Sequence, residues 1–251
     1  MVQLRQSFLF DNAAMSKRLG LLMVGHIDPK SQHIAGDYPD LFAVLLRDHN
    51  LDLIRYDLDR GAFPDRVDEC DGWICSPSRS SVYDDEPWIA DAESLHREFI
   101  AREIPYVGVC FGHQLLAQAL GTAVERATDG WGVGVQSYEI ATPQCWMGAA
   151  PPSRFSLLAS HQDQVTALPN DAELLFTSSS GYCPIAGMTV GNRAWTIQPH
   201  PEFIAPLADH LLAGRMELIG ADKVLHARES LTQPLDQPLV AQWIANFFRD
   251  V

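Results

Sequence analysis

The residues Pro105-Tyr106-Val107-Gly108-Val109-Cys110-Phe111-Gly112-His113-Gln114 leave the chain little choice of local structure. Tyr106 to Val109 is a short apolar run that reads as a buried strand. A helical pattern begins at once, with Phe111, Leu115, Leu116, Ala119 and Leu120 on one face. No loop residues separate the two, so the chain must turn sharply at Cys110. Gly108 and Gly112 flank that turn, where absent side chains permit a strained backbone and close packing. This is the logic of the nucleophile elbow, with Cys in the place of Ser. It lifts the sulfur out of the sheet at the start of a helix, where free N–H groups and the helix dipole favour a thiolate.

The flanking segments extend the pattern. Leu19 to Val24, Leu51 to Leu58 and Gly72 to Cys75 read as strands. Asp40 to Asp48 and Glu86 to Arg102 read as helices, the second opened by Pro87. Strand and helix in alternation predict an α/β fold of the doubly wound, flavodoxin-like kind: a mainly parallel sheet with helices on both faces. In such sheets sites form at the carboxyl ends of strands, where Cys110 stands. The second half predicts a small antiparallel portion. Ala123 to Ala141, with Gly130, Gly132 and Gly134, suggests a hairpin. Short strands follow at Gln164–Leu168, Leu174–Thr177, Ile185–Val190 and Ala194–Gln198, and then a helix over Pro206–Leu218. The last helix has the clearest amphipathic face, made of Val240, Trp243, Ile244, Phe247 and Phe248. Periodicity alone leaves open whether that face covers the core or a second copy of the chain.

At 251 residues and 47% hydrophobic, the chain can build one sizeable core. We expect an N-terminal extension over 1–18 and one domain over 19–251. The extension brackets a brief Phe8-Leu9-Phe10 with charge and makes a poor signal peptide. The net charge is −14, and only 3 of 18 basic residues are Lys, which argues against nucleic acid or an anionic membrane as partner. No apolar run approaches the roughly 20 residues of a membrane span. Five cysteines without a CxxC pair fit neither a disulfide scaffold nor a zinc module, so reduced thiols in a cytoplasmic protein are the simplest reading. His26, Asp28 and His33 match no metal-ligand spacing and read as loop. Gly130 to Gly134 lacks the Lys and helix of a phosphate cradle.

Cys110 needs a base, and Gln198-Pro199-His200-Pro201-Glu202 offers one. Each proline pushes the residue before it away from the helical region, so the segment is extended. Residues two apart in an extended chain face the same side, which brings His200 beside Glu202. A carboxylate there fixes the imidazole tautomer and stabilises its cation. Taken singly, a Cys at a strand end is usually a small buried hydrophobe, and His-Pro-Glu is usually a turn. Together they spell nucleophile, base and orienter.

With both motifs in hand, the sequence resembles the class I glutamine amidotransferases, a family of glutaminase domains with a Cys-His-Glu triad. Residues 108–114 match the family's G-x-C-x-G-x-Q, and residues 198–202 match its Q-x-H-P-E. Ser160-His161-Gln162-Asp163-Gln164-Val165 and Val82-Tyr83-Asp84-Asp85-Glu86-Pro87-Trp88-Ile89 resemble segments of the stand-alone branch similar to the glutaminase domain of GMP synthetase. The resemblance implies Cys110 as nucleophile, His200 as general base and acid, and Glu202 as its partner. It implies the Phe111 N–H as one oxyanion donor, and Gln114, Ser160 and His161 as substrate contacts, although His161 reads equally well as a satisfied core histidine. It implies no cofactor and no metal. The family's second oxyanion donor usually lies at a Gly after the third strand. Here that strand runs into Cys75-Ser76-Pro77-Ser78-Arg79-Ser80-Ser81. With Pro77 at that position there is no N–H to give, so either Ser76 or Ser78 supplies its own or the oxyanion hole is weakened in the free protein. Three functions fit: a glutaminase that delivers ammonia to a separate synthetase, a self-sufficient hydrolase of γ-glutamyl peptides or amides, or a non-catalytic binding module that kept the fold.

Overall fold

The computed structural model describes residues 16–250. Its first half alternates as expected: β1 (Lys17–Met23), the short α1 (Gln32–Ala35), α2 (Tyr38–Leu46), β2 (Leu51–Asp57), β3 (Gly72–Cys75), α3 (Pro87–Ala101), β4 (Tyr106–Val109) and α4 (Phe111–Ala119). Helix α2 starts two residues before the position the apolar pattern suggests. The reason is Asp37, which caps it reciprocally with Asp40. Residues 1–15 of the expected N-terminal extension lie outside the described residues, while Lys17 and Arg18 already belong to β1.

The second half contains β5 (Val124–Arg126), β6 (Gly132–Ile140), β7 (Arg154–His161), β8 (Asp163–Val165), β9 (Ala172–Ser178), β10 (Gly187–Val190) and β11 (Ala194–Ile197). Helices α5 (Ala205–Gly214), α6 (Met216–Ile219), α7 (Ala221–Ser230) and α8 (Gln237–Asp250) close the chain. One sheet runs in the order β2-β1-β3-β4-β11-β10-β9-β6-β7. The pairs from β2 to β11 are parallel. Those from β11 to β7 are antiparallel. The sheet is therefore mixed and mostly parallel, in keeping with the flavodoxin-like class.

Period-2 alternation explains the layers. Leu19, Leu21, Met23, Ile74, Val107, Val109, Trp195 and Ile197 point to one face and join one core with α2 and α8. Leu22, Trp73, Cys75 and Tyr106 point to the other and join a second core with α3 and α4. Strands buried on both faces must be apolar throughout, which is why these read as continuous hydrophobic runs. The apolar face of α8 covers the core: Val240, Trp243, Ile244, Phe247 and Phe248 are all at most 1% exposed.

Two expectations are corrected. Residues 123–141 form no hairpin: β5 pairs with β8, and β6 pairs with β7 and β9. The glycines serve close approach instead. A Cβ on Gly132 would lie 2.3 Å from the Tyr182 ring, and one on Gly134 2.9 Å from Ala227 Cα in α7. The helix expected over Pro206–Leu218 is broken. It ends at Gly214, Arg215 takes a non-helical ψ of 15°, and α6 starts afresh. That break turns out to shape the cleft.

Candidate active site

Cys110 sits between β4 and α4 with φ 52° and ψ −100°, a conformation side chains rarely adopt. Holding a residue there costs about 1–3 kcal/mol, so the surroundings must enforce it. They do so through the backbone. The Cys110 N–H donates to Ile197 O of β11 at 2.8 Å, and its carbonyl accepts from the His113 and Gln114 N–H groups at 3.1 Å each. The flanking glycines are required by space. A Cβ on Gly108 would lie 2.6 Å from Gly112 O, and one on Gly112 2.8 Å from Cys75 Cβ. The N–H groups of Phe111 and Gly112 open α4 and have no intrahelical acceptor. The sulfur therefore stands at a concentration of positive backbone charge.

His200 follows β11. Its N–H donates to Leu158 O of β7 at 2.8 Å, which fixes the segment across the parallel and antiparallel halves of the sheet. Its Nδ1–H donates to Glu202 Oε1 at 2.8 Å, and both side chains are buried. Phe203 stacks on the imidazole with centroids 4.0 Å apart. Burial opposes charge on this ring. The charges of Glu202 and Cys110 outweigh it and hold the pKa above the ordinary imidazole value. His200 Nε2 has no closed hydrogen bond among the described residues, yet Cys110 acts on the ring electrostatically. Unliganded catalytic sites commonly show such loose pairs.

Cys110 and His200 open onto a cavity of about 350 Å³. Of the two serines expected to offer an oxyanion N–H, Ser76 is already held. Its N–H donates to Leu22 O at 3.0 Å, and its Oγ accepts from the Val24 N–H at 3.2 Å. Ser78 lines the cavity, in room left by Gly25, where a Cβ would lie 2.6 Å from Ser78 Oγ. Gln114 also lines it. Its amide hydrogens go to Asp163 O at 2.9 Å and Gln198 Oε1 at 3.1 Å, leaving its own oxygen as an acceptor. Ser160 and His161 reach the same wall from the end of β7. Burial pushes the His161 pKa down to about 4, and the His200 charge adds to this, so the ring is neutral near pH 7.

The family model for class-I glutamine amidotransferase matches residues 43–215. A gamma-glutamyl peptidase 5 of Arabidopsis thaliana is 32% identical over 175 residues, covering 66% of this chain and 69% of the relative. The chain belongs to the class-I glutamine amidotransferase family. Among other relatives, gamma-glutamyl peptidase 3 of Arabidopsis thaliana is 29% identical over 87% of this chain and 92% of its own length. One component of the glutamine-hydrolyzing GMP synthase of Halobacterium salinarum is 31% identical over 66% of this chain and 84% of its own length. The fold is that of a glutamine amidotransferase from Thermotoga maritima: its crystal structure superposes with a TM-score of 0.71 at 20% identity, covering 93% of this chain and 96% of that one.

Several amidotransferase cavity residues escape sequence reasoning. Asp163 accepts from Ser81 Oγ at 2.5 Å and Tyr83 Oη at 3.0 Å, tying the loop after β3 to β8. Its position within residues 160–165 is the one available signal. Arg215 and Trp131 form a wall no motif announces. His26 also lines the cavity, but with partners other than those its spacing offered. Its Nδ1 meets Asp37 at 2.6 Å and its Nε2 Asp59 at 3.3 Å. His33 bonds Lys30 O instead. Donor atoms of His26, Asp57 and Asp59 lie within 4.8 Å of one another, and the Arg55 guanidinium already meets Asp57 at 2.5 Å.

Proposed function

We propose that this chain hydrolyses γ-glutamyl amide bonds through a thioester on Cys110. The observation that carries the reading is a cysteine held at a strained strand-to-helix turn, in a shared cavity with a buried imidazole that a carboxylate keeps basic. His200 takes the thiol proton as the Cys110 sulfur attacks the γ-carbonyl carbon. The developing oxyanion is met by the Phe111 N–H and by the Ser78 N–H, at about 3 kcal/mol for each well-placed donor. His200 gives its proton to the leaving nitrogen as the C–N bond breaks, which yields an amine and a γ-glutamyl thioester. Water then loses a proton to His200 and adds to the thioester, and C–S cleavage releases glutamate. Glu202 holds the ring so that Nε2 faces the sulfur, and stabilises the cation formed in each half.

The amine released distinguishes two versions. Relatives named gamma-glutamyl peptidase extend over most of this chain, which supports a self-sufficient hydrolase of γ-glutamyl peptides or amides. The likeness to the GMP synthase component supports the other version, glutamine as substrate and ammonia passed to a synthetase in trans. A binding module without catalysis has no use for a basic buried imidazole beside an elbow cysteine. Five free cysteines fit a reducing compartment, the cytoplasm in our reading. No helix among the described residues is long and apolar enough to cross a membrane.

Mass spectrometry after treatment with a glutamine-analogue chloroketone tests the thiol and the pocket together. The expected result is one adduct on Cys110, blocked by a γ-glutamyl substrate, with Cys110→Ala and His200→Ala inactive and Cys145→Ala unaffected. Full turnover in Cys110→Ala would overturn the mechanism.

A further inference from the structure

Arg215 stands at the break between α5 and α6, on the wall of the cavity that holds Cys110 and His200. Its guanidinium lies over the Trp131 indole, 5.5 Å from the ring centroid, and Nη1 donates to Ser160 Oγ at 3.0 Å. Both partners are neutral. Burial weighs most on its charge, and no carboxylate is among the groups that act on it. In a chain of net charge −14, a half-buried arginine that faces a cavity and has no acidic partner among the described residues is out of keeping with its surroundings. A charge so placed is uncompensated until a ligand arrives. One hydroxyl engages one of its five donors, and stacking on an aromatic face leaves the edge of the fork open. That edge matches a carboxylate, which takes two N–H groups at once.

The backbone ties Arg215 to the base. His200 must face the leaving nitrogen, because it delivers the proton. Its N–H is bonded to Leu158 O, and Ser160, which holds Arg215, lies two residues further along β7. Arg215 is thus held by the same strand that fixes the base. The cavity has space for both halves: about 350 Å³ falls in the range, roughly 300–1,000 Å³, that encloses drug-sized ligands rather than a lone amino acid.

We propose that Arg215, stacked on Trp131 and held by Ser160, reads a carboxylate in the leaving half of the substrate, so that the preferred substrates are γ-glutamyl peptide acids rather than free glutamine. This rests on the γ-glutamyl hydrolysis proposed above. Free glutamine releases ammonia and offers Arg215 nothing. A γ-glutamyl amino acid places its carboxylate two bonds from the scissile nitrogen.

The test uses two compounds that differ in one group, γ-glutamylglycine and γ-glutamylglycinamide. The unaltered protein is expected to prefer the acid by about ten- to a hundredfold in kcat/KM, as for a charge-assisted pair. Arg215→Gln brings the ratio close to unity, mainly through loss on the acid. Arg215→Lys restores part of it, since a point charge replaces a fork. No preference in the unaltered protein overturns the proposal, whether or not any variant folds. Equal losses on both compounds in Arg215→Gln also overturn it, since the arginine would then read the glutamyl half or only support the fold. Calorimetric titration of Cys110→Ala with the same pair separates this from the chemistry. If neither compound is cleaved yet the acid still binds more tightly, hydrolysis is refuted and the role of Arg215 stands. If the two bind alike, or neither binds, the role of Arg215 falls.

Discussion

Replacing Gly108 by alanine puts a methyl group where β4 meets the first turn of α4. A Cβ at that position would lie 2.6 Å from Gly112 O, 2.7 Å from Gly112 C and 2.8 Å from Tyr106 Oη. Ordinary van der Waals contact for a Cβ begins near 3.4 Å, so the elbow must open by 3.4 − 2.6 = 0.8 Å against the carbonyl oxygen. Two of the three obstacles are backbone. The third is a fully buried tyrosine hydroxyl, 3.0 Å from His96 Nε2 and 2.9 Å from Gly112 O, on a ring packed between His96 and Phe99. None can swing aside. Overpacking of this kind costs about 1–3 kcal/mol. In a domain of this size each 1 kcal/mol lowers Tm by about 2–4 °C, so the expected fall is about 2–12 °C. Reactivity should suffer more than stability, since a displacement approaching 1 Å at a reacting group costs about a hundredfold. Tm comes from a calorimetric scan, and reactivity from the rate of Cys110 labelling by the chloroketone. An alanine variant with unchanged Tm and unchanged labelling would refute the claim that Gly108 holds the elbow by lack of volume.

Two further outcomes follow from the buried imidazoles. Glu202→Gln removes the charge that most raises the His200 pKa, so the protonated ring is lost at lower pH. The alkaline limb of the turnover profile should move to lower pH and the maximum should fall by about 10²- to 10⁴-fold; an unmoved limb would show that Glu202 does not govern the ring. His96 and His113 carry pKa values pushed down to about 4 and about 3 by burial. With an unfolded value near 6.5, the unfolded chain binds more protons below that pH, so stability is complete above about 6.5 and declines as pH falls toward 4. Denaturant midpoints across that window should slope less in His96→Gln than in the parent, and parallel slopes would count against the assignment.

What the sequence discloses here depends on how local the cause is. The bounds of β3 and β4 are legible because both are short apolar runs buried on two faces. The closeness of His200 and Glu202 is legible because Pro199 and Pro201 remove the helical alternative. The pairing of β6 is not, because Gly132 and Gly134 look like turn residues while their actual partners, Tyr182 and α7, lie far away in sequence. Strand β7 and helix α7 pass unnoticed for related reasons. The helix buries only Val224 and Ala227, too narrow a stripe to show as a period. In the cavity, the motif residues announce themselves, but Ser76 and Ser78 are distinguishable only once the β1–β3 ladder is seen to take the Ser76 N–H. Arg215 is hidden in what reads as a continuous helix.

Cys110 and the segment that leads to His200 leave neighbouring parallel strands, joined by the bond from the Cys110 N–H to Ile197 O. The strands from which the two side chains depart are thus held at the rung spacing of a β-ladder, about 4.8 Å, a length that no cavity side chain adjusts. The cavity walls come from other stock: the loop after β3, the tip of β7 and the junction of α5 with α6. The molecule behaves like a vice with a fixed throat and interchangeable jaws. Drift in the jaws can retune what is gripped, from an amide to an acid or from a small amine to a large one, while the strands that lead to sulfur and imidazole stay where the sheet has set them.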